Sequence, residues 1–328
     1  MKEDHYMASI VQRTLKTCIP YVGTGLHSGC RVGMLVRPGE VNTGVRFVRN
    51  DVPMGRGVIP ALWHQVVDTR LGTIIGNEFG TSVSTIEHLM AALHGCGIDN
   101  AVVELDGPEV PILDGSAEPF VAMIERAGVV DQKAKRWGIL VEETVEVRVD
   151  DKIVRLEPCP VTRITAEIDF PGTAVGSQQF STVMTELVFK RDLSRARTFG
   201  FADQIDDLYE RELALGGSPQ NAILVDGDTV VNEEGLRFQD EFVRHKILDI
   251  VGDLSLAGVP VIGHFYGYKP GHALNQALLR KFISNEQAWS YVMLDEYEDV
   301  PGLRRLSDAL ATTANRVRKA WSRLRVVA

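Results

Sequence analysis

Two stretches decide how this chain folds: EHLMAALHGCGIDNAVVEL, residues 87–105, and RHKILDIVGDLSLAGVPVIGHF, residues 244–265. Each opens with a histidine on an apolar helical run and closes in a strand of mostly hydrophobic residues. Working outward, the flanks repeat too. Before the first stretch, Arg31–Asn50 alternates at Val32, Met34 and Val36, turns at Pro38-Gly39 and Asn42-Thr43-Gly44, and alternates again at Val45 and Phe47. Before the second, Asp151–Phe170 alternates at Val154 and Leu156, turns at Pro158 and Pro160, and alternates at Ile164, Ala166 and Ile168. Both patterns predict antiparallel hairpins. The first helix is expected over Ser84–His94, with Ser84-Thr85-Ile86-Glu87 matching a capping box and Gly95 and Gly97 at its end. Its counterpart is expected over Glu241–Leu256. A further helix follows each strand, Ala117–Ala127 and Gly271–Ile283.

Hairpin, helix, strand and helix therefore occur twice. This predicts an α+β fold of two domains with similar topology, each a mostly antiparallel β-sheet layered on two α-helices. The polar run Lys133–Gly138 sets the boundary, giving units over 9–134 and 135–290 and a tail over 291–328. Phe199–Val231 does not fit the repeat and is expected as an insert in the second unit: a helix, a turn at Gly216-Gly217-Ser218, and a strand over Ala222–Val225. Insertions often carry specificity.

Composition agrees. The chain has 328 residues, 45% hydrophobic and 24% charged, which excludes disorder and low-complexity architecture. At about 150 residues per domain, two units are expected. The formal net charge of −9 makes nucleic acid a poor partner. Cys18, Cys30, Cys96 and Cys159 are scattered, with neither a disulfide framework nor a thiolate metal cluster. The N-terminus lacks the apolar core of a signal peptide, and no run reaches the ~18 apolar residues of a transmembrane segment. A cytoplasmic location is the expectation. Leu303–Arg325 spaces Leu303, Leu306, Leu310, Ala314, Val317, Trp321 and Leu324 at threes and fours and carries seven basic residues against one acidic. A terminal helix docked by its apolar face is the favoured reading; peripheral contact with the inner membrane surface is the other.

The chemistry concentrates in the helix from Glu241. Phe242, Val243, Ile247, Leu248, Ile250, Val251 and Leu254 cover most of its circumference, so it is expected to be buried. Yet His245, Asp249 and Asp253 stand at i, i+4 and i+8, stacked on one face. Buried carboxylates need partners. Histidine and aspartate at this spacing are placed to hold a divalent ion, zinc first and iron(II) acceptably. A helix-face salt bridge or polar cluster is the other reading, and the commoner one from spacing alone. Two ligands are too few for catalytic zinc. The matching helix of the first half supplies a third candidate, His88. Its neighbour Glu87 points ~100° away, as suits a base that acts beside a metal and not on it. The other readings are a capping residue for Glu87 and a satisfied core histidine for His88. HExxH is absent.

From Gln12 to Tyr291 the chain resembles the UDP-3-O-acyl-N-acetylglucosamine deacetylases of lipid A biosynthesis in Gram-negative bacteria. The resemblance rests on QRTLK, GTGLHSG, STIEHLMAAL, PILDGSAEPF, SRARTFGF, NEEGLRFQDEFVRHKILDIVGDL and KPGHALN, in that order. It implies two domains of like topology with one zinc ion per chain between them, held by His88, His245 and Asp249. It further implies Glu87 as general base, His272 as the acid that protonates the leaving amine, Asp253 as the partner of His272, and Thr198 as a donor to the oxyanion. Lys246 and His27 would meet the substrate, a UDP-sugar bearing a fatty acyl chain. A passage for that chain would run through the insert, with Phe199, Ala202, Ile205, Ala214, Ser218, Ala222 and Leu224 as candidate walls; packing of the insert on itself is the plainer reading of those residues. Some members carry a cysteine where this chain has Gly72. Two other functions compete: a metal-dependent hydrolase or dehydratase acting on another sugar or acyl substrate, and a non-catalytic sugar-nucleotide or lipid-binding protein.

Overall fold

The computed structural model describes residues 9–295. The amphipathic pattern of Leu303–Arg325 lies outside the described residues. Each half is built on a five-stranded sheet, and the two sheets share one topology. In the first, Ile19–Thr24 pairs with Arg31–Pro38, Arg31–Pro38 with Ala101–Leu105, and Val45–Arg49 with Val58–Pro60, all antiparallel. Ala101–Leu105 runs parallel to Val45–Arg49. In the second, Val145–Val149 pairs with Lys152–Glu157, Lys152–Glu157 with His264–Tyr268, and Arg163–Phe170 with Gly176–Val183, again antiparallel. His264–Tyr268 runs parallel to Arg163–Phe170.

This corrects both expected hairpins. Arg31–Pro38 and Val45–Arg49 are strands, but Ala101–Leu105 lies between them. Lys152–Glu157 and Arg163–Phe170 are separated in the same way by His264–Tyr268. The inserted strands carry the fully buried Val103, Leu105 and Phe265, so burial favours them at the middle of the sheet and displaces the local pairing.

Each half also closes its last strand on its first: Val129–Lys135 on Val11–Leu15, and Trp289–Met293 on Trp137–Val141, both antiparallel. The helices pack between the sheets. Glu87–Gly95 and Glu118–Ala127 belong to the first half, Glu241–Leu254 and His272–Ser284 to the second. Glu87–Gly95 and Glu241–Leu254 pack against one another at the centre of the molecule. The helices approach closely at Gly252, where a Cβ would stand 2.2 Å from the Glu87 carbonyl oxygen.

The segment Phe199–Val231 forms a small sheet, with Phe199–Phe201 parallel to Ile223–Asp226 and Thr229–Val230 closing it antiparallel. Val66–Asp68, Ile74–Gly76 and Ser82–Val83 form another three-stranded sheet at the matching place, between the fifth strand and the central helix of the first half. Strands of two and three residues are too short for alternation to show in sequence.

Candidate functional site

The two central helices bring together three side chains from distant parts of the chain. His88 Nε2 lies 3.7 Å and His245 Nε2 3.3 Å from Asp249 Oδ1, and all three residues are buried. One donor atom from each falls within 4.8 Å of the others. Asp249 Oδ1 has no hydrogen-bond partner among the described residues, although it is fully enclosed. His245 Nδ1 bonds the Ala196 carbonyl at 3.0 Å, which makes Nδ1 the protonated nitrogen and turns the Nε2 lone pair towards Asp249. Two ligands on a tetrahedral zinc with bonds of about 2.0–2.1 Å stand roughly 3.3 Å apart. An orphaned carboxylate oxygen facing two imidazole nitrogens at 3.3 and 3.7 Å fits a small divalent cation. The ion pair and the core histidine offered by spacing alone leave that oxygen unexplained.

The electrostatics agree. Burial, and then the neighbouring His245, push His88 down to about 3, so its imidazole is neutral. Burial also lowers His245, with Asp249 opposing. Burial alone would raise Asp249, but His245 and Lys246 outweigh it and hold the carboxyl far below its usual range. Neutral imidazoles beside an ionised carboxylate are the protonation states a metal requires.

Glu87 starts its helix without the capping box expected. The residue before the helix is Ile86, and no side chain caps it. Ser84 Oγ instead donates to the Pro108 carbonyl. Thr85 takes a left-handed φ of +57°, rare for a β-branched residue, and its hydroxyl donates to Glu109 Oε1 at 2.9 Å. With the chain turned there, Glu87 points across the site: its Oε2 accepts the Thr73 N–H at 3.0 Å, and its Oε1 lies 3.7 Å from His272 Nε2. Burial raises Glu87 to about 7, with His272 opposing. Gly72 leaves room here, since a Cβ at that position would lie 2.9 Å from Glu87 Oε1.

His272 opens its own helix, with its Nδ1 2.8 Å from Asp253 Oδ2. Burial works against its charged form, but Asp253 and Glu87 prevail and lift it to about 10. Asp253 is held by two groups that sequence reading missed: Thr73 Oγ1 at 2.6 Å and Asn275 Nδ2 at 2.8 Å. Asn275 stands one helical turn after His272 in KPGHALN, a visible i+3 signal. Thr73 gave none.

Thr198 is half-buried, with its N–H on the Gly115 carbonyl and its own carbonyl accepting from Ile223 N–H, both at 2.8 Å. Beside it, the buried Arg197–Glu241 pair at 2.9 Å ties this segment to the start of the Glu241 helix. Lys246 Nζ reaches Asp249 Oδ2 at 2.9 Å and lies 5.4 Å from the centre of the Phe199 ring. His27 uses both ring nitrogens inside the protein: Nε2 lies 3.1 Å from the Leu71 carbonyl, and Nδ1 accepts from Ala214 N–H at 3.4 Å. Ala202, Ile205, Ala214, Ser218, Ala222 and Leu224 are all half-exposed on the second small sheet and its loops.

Comparison with known proteins points to one family. The family model described as UDP-3-O-acyl N-acetylglycosamine deacetylase matches residues 12–284. A UDP-3-O-acyl-N-acetylglucosamine deacetylase of Myxococcus xanthus is 49% identical over 91% of this chain and 92% of its own length. Proteins of the same name from Pasteurella multocida and Shewanella pealeana are 46% and 44% identical, each over 89% of this chain and 96% of their own.

Proposed function

This chain belongs to the UDP-3-O-acyl-N-acetylglucosamine deacetylase family, and from that premise we propose how its residues hydrolyse the N-acetyl group of the nucleotide sugar, releasing acetate at an early step of lipid A biosynthesis. The observation that carries the reading is the convergence of His88, His245 and the orphaned Asp249 Oδ1, flanked by Glu87 and His272. His88, His245 and Asp249 hold one metal ion, with zinc the choice that suits two imidazoles and a carboxylate and iron(II) an acceptable substitute. When bound, the metal polarises the acetamide carbonyl and acidifies water in the site.

Glu87 takes the proton of the attacking water on Oε1, the oxygen left open by Thr73. Thr198 donates its hydroxyl to the oxyanion; one preorganised donor of this kind is worth about 3–4 kcal/mol. His272, already protonated, gives its Nε2 proton to the departing amine, and Asp253 keeps the other nitrogen fixed. Lys246 meets the substrate at the mouth of the site, and the half-exposed apolar side chains around Phe199 and Leu224 receive the acyl chain. His27 serves the substrate indirectly, by holding the loops around it. No helix among the described residues is long and apolar enough to cross a membrane.

Metal content and acetate release, measured together, test this reading. Wild-type protein should carry one ion and release acetate. Asp249→Ala should lose both. His272→Ala should keep its metal and lose about 10²–10⁴ in turnover. Near-normal turnover in His272→Ala would remove the acid, and full metal occupancy in Asp249→Ala would remove the ligand set.

A further inference from the structure

Thr73 stands between the base and the acid and touches both. It precedes the strand Ile74–Gly76 of the first small sheet and is 2% exposed. Its N–H donates to Glu87 Oε2 at 3.0 Å. Its hydroxyl lies 2.6 Å from Asp253 Oδ1 and 3.2 Å from His272 Nδ1. An ionised carboxylate only accepts, so the Thr73 hydroxyl donates to Asp253 and keeps its lone pairs for an incoming N–H. The His272 Nδ1–H therefore faces two acceptors, Asp253 Oδ2 at 2.8 Å and Thr73 Oγ1. Two acceptors in a buried setting fix the plane of the ring and leave Nε2 as the nitrogen that gives its proton away.

The same residue decides which Glu87 oxygen works. With Oε2 taken by the Thr73 N–H, Oε1 is the free one, and it lies 3.7 Å from His272 Nε2. Glu87 comes from the first half of the chain, Asp253 and His272 from the second. Thr73 is one residue that bonds to the machinery of both.

We propose that Thr73 is a positioning residue for deacetylation: its N–H selects the oxygen of Glu87 that takes the proton, and its hydroxyl locks the Asp253–His272 pair in register with that oxygen. This rests on the deacetylase reading and on the roles given to Glu87 and His272. A merely structural Thr73 would satisfy buried carboxylates and set stability without setting the rate.

Thr73→Val keeps the shape and the N–H and removes only the hydroxyl; Thr73→Ser keeps both. Steady-state kinetics, metal content and thermal unfolding of each, alone and combined with His272→Ala, separate the two roles. Thr73→Val should lower kcat about ten- to a hundredfold, the worth of one hydrogen bond to an ionised group, with KM and metal content at wild-type levels. Thr73→Ser should recover kcat to within about threefold of wild type. In the His272→Ala background, Thr73→Val should add no further loss, because no acid is left to hold. Wild-type kcat in Thr73→Val, an equal loss in both backgrounds, or a serine variant as slow as the valine one overturns the proposal. If the valine variant does not fold, Thr73→Ala carries the same expectations and the same refutations. Wild-type protein that releases no acetate would instead overturn the deacetylase reading itself.

Discussion

His272 lies 2.8 Å from Asp253 and is lifted to about 10 although burial opposes its charge. It therefore stays protonated through the neutral range. Activity should fall on the alkaline side as this proton is lost, and on the acid side as Glu87, raised to about 7 by burial, becomes protonated. The sign for Asp253→Asn follows. Without the carboxylate that raises His272, the alkaline limb should move to lower pH while the acid limb stays. A pH–rate profile of that variant with an unmoved alkaline limb would remove Asp253 as the partner. The same pair sets a linkage with stability. A raised folded-state pKa contributes stability fully below the ordinary value of 6.5, and this is lost as pH climbs through about 10. At this scale the sequence disclosed what helical spacing discloses. His245 and Asp249 appear at i and i+4, and Glu87 diverges from His88 as adjacent helical residues must. His272 entered only through resemblance, because its partner Asp253 lies 19 positions away on another helix. Thr73 was invisible, since its part depends on a backbone N–H and a hydroxyl brought into place by tertiary structure.

The proposed ligands converge because two helices pack closely, and Gly252 permits it. An alanine in the middle of a helix is normally better than glycine by roughly 0.5–1 kcal/mol. Here the sign should reverse. The added Cβ would stand 2.2 Å from the Glu87 carbonyl, and backbone inside a helix cannot move aside as a flexible side-chain tip can. Gly252→Ala should destabilise by about 1–3 kcal/mol, as overpacking does, and should weaken metal binding by forcing apart the helices that carry His88 and His245. Thermal unfolding with metal titration checks both; a variant more stable than wild type, with unchanged metal affinity, would show that the helices have slack. At this scale the helices were largely legible. Glu241–Leu254 and His272–Ser284 lie within two residues of the expected bounds. Strand partners were less so. Alternation finds a strand and its buried face, but it does not say which strand lies beside it. The capping-box pattern misled because Thr73 N–H competes for Glu87 and wins.

The repeated topology has a consequence for the proposed site: it draws on both halves. Thr73, Glu87 and His88 come from the first, and Thr198, His245, Asp249, Asp253 and His272 from the second. The duplication was visible in sequence because each half needs the same apolar helix under the same sheet. The two small sheets were only partly visible, through the strand expected over Ala222–Val225 and found over Ile223–Asp226. His27, in the first half, joins them by contacting Leu71 near one and Ala214 near the other. A turn at Gly216 approaches the same loop so closely that a Cβ would stand 2.2 Å from the Gly25 carbonyl oxygen. The metal ion proposed to sit between His88 on one side and His245 and Asp249 on the other would bind only when the halves are docked, and would then stabilise the docked state by mass action. At free metal a hundredfold above Kd this amounts to about 2.7 kcal/mol. Calorimetry should show a Tm that drops by several degrees on chelation and returns when zinc is restored. Asp249→Ala should unfold at one temperature with or without zinc, because its cation has lost the oxygen that faces both imidazoles. If zinc raised the Tm of that variant as much as that of the wild type, the stabilising ion would sit elsewhere and the site between the halves would not be what joins them.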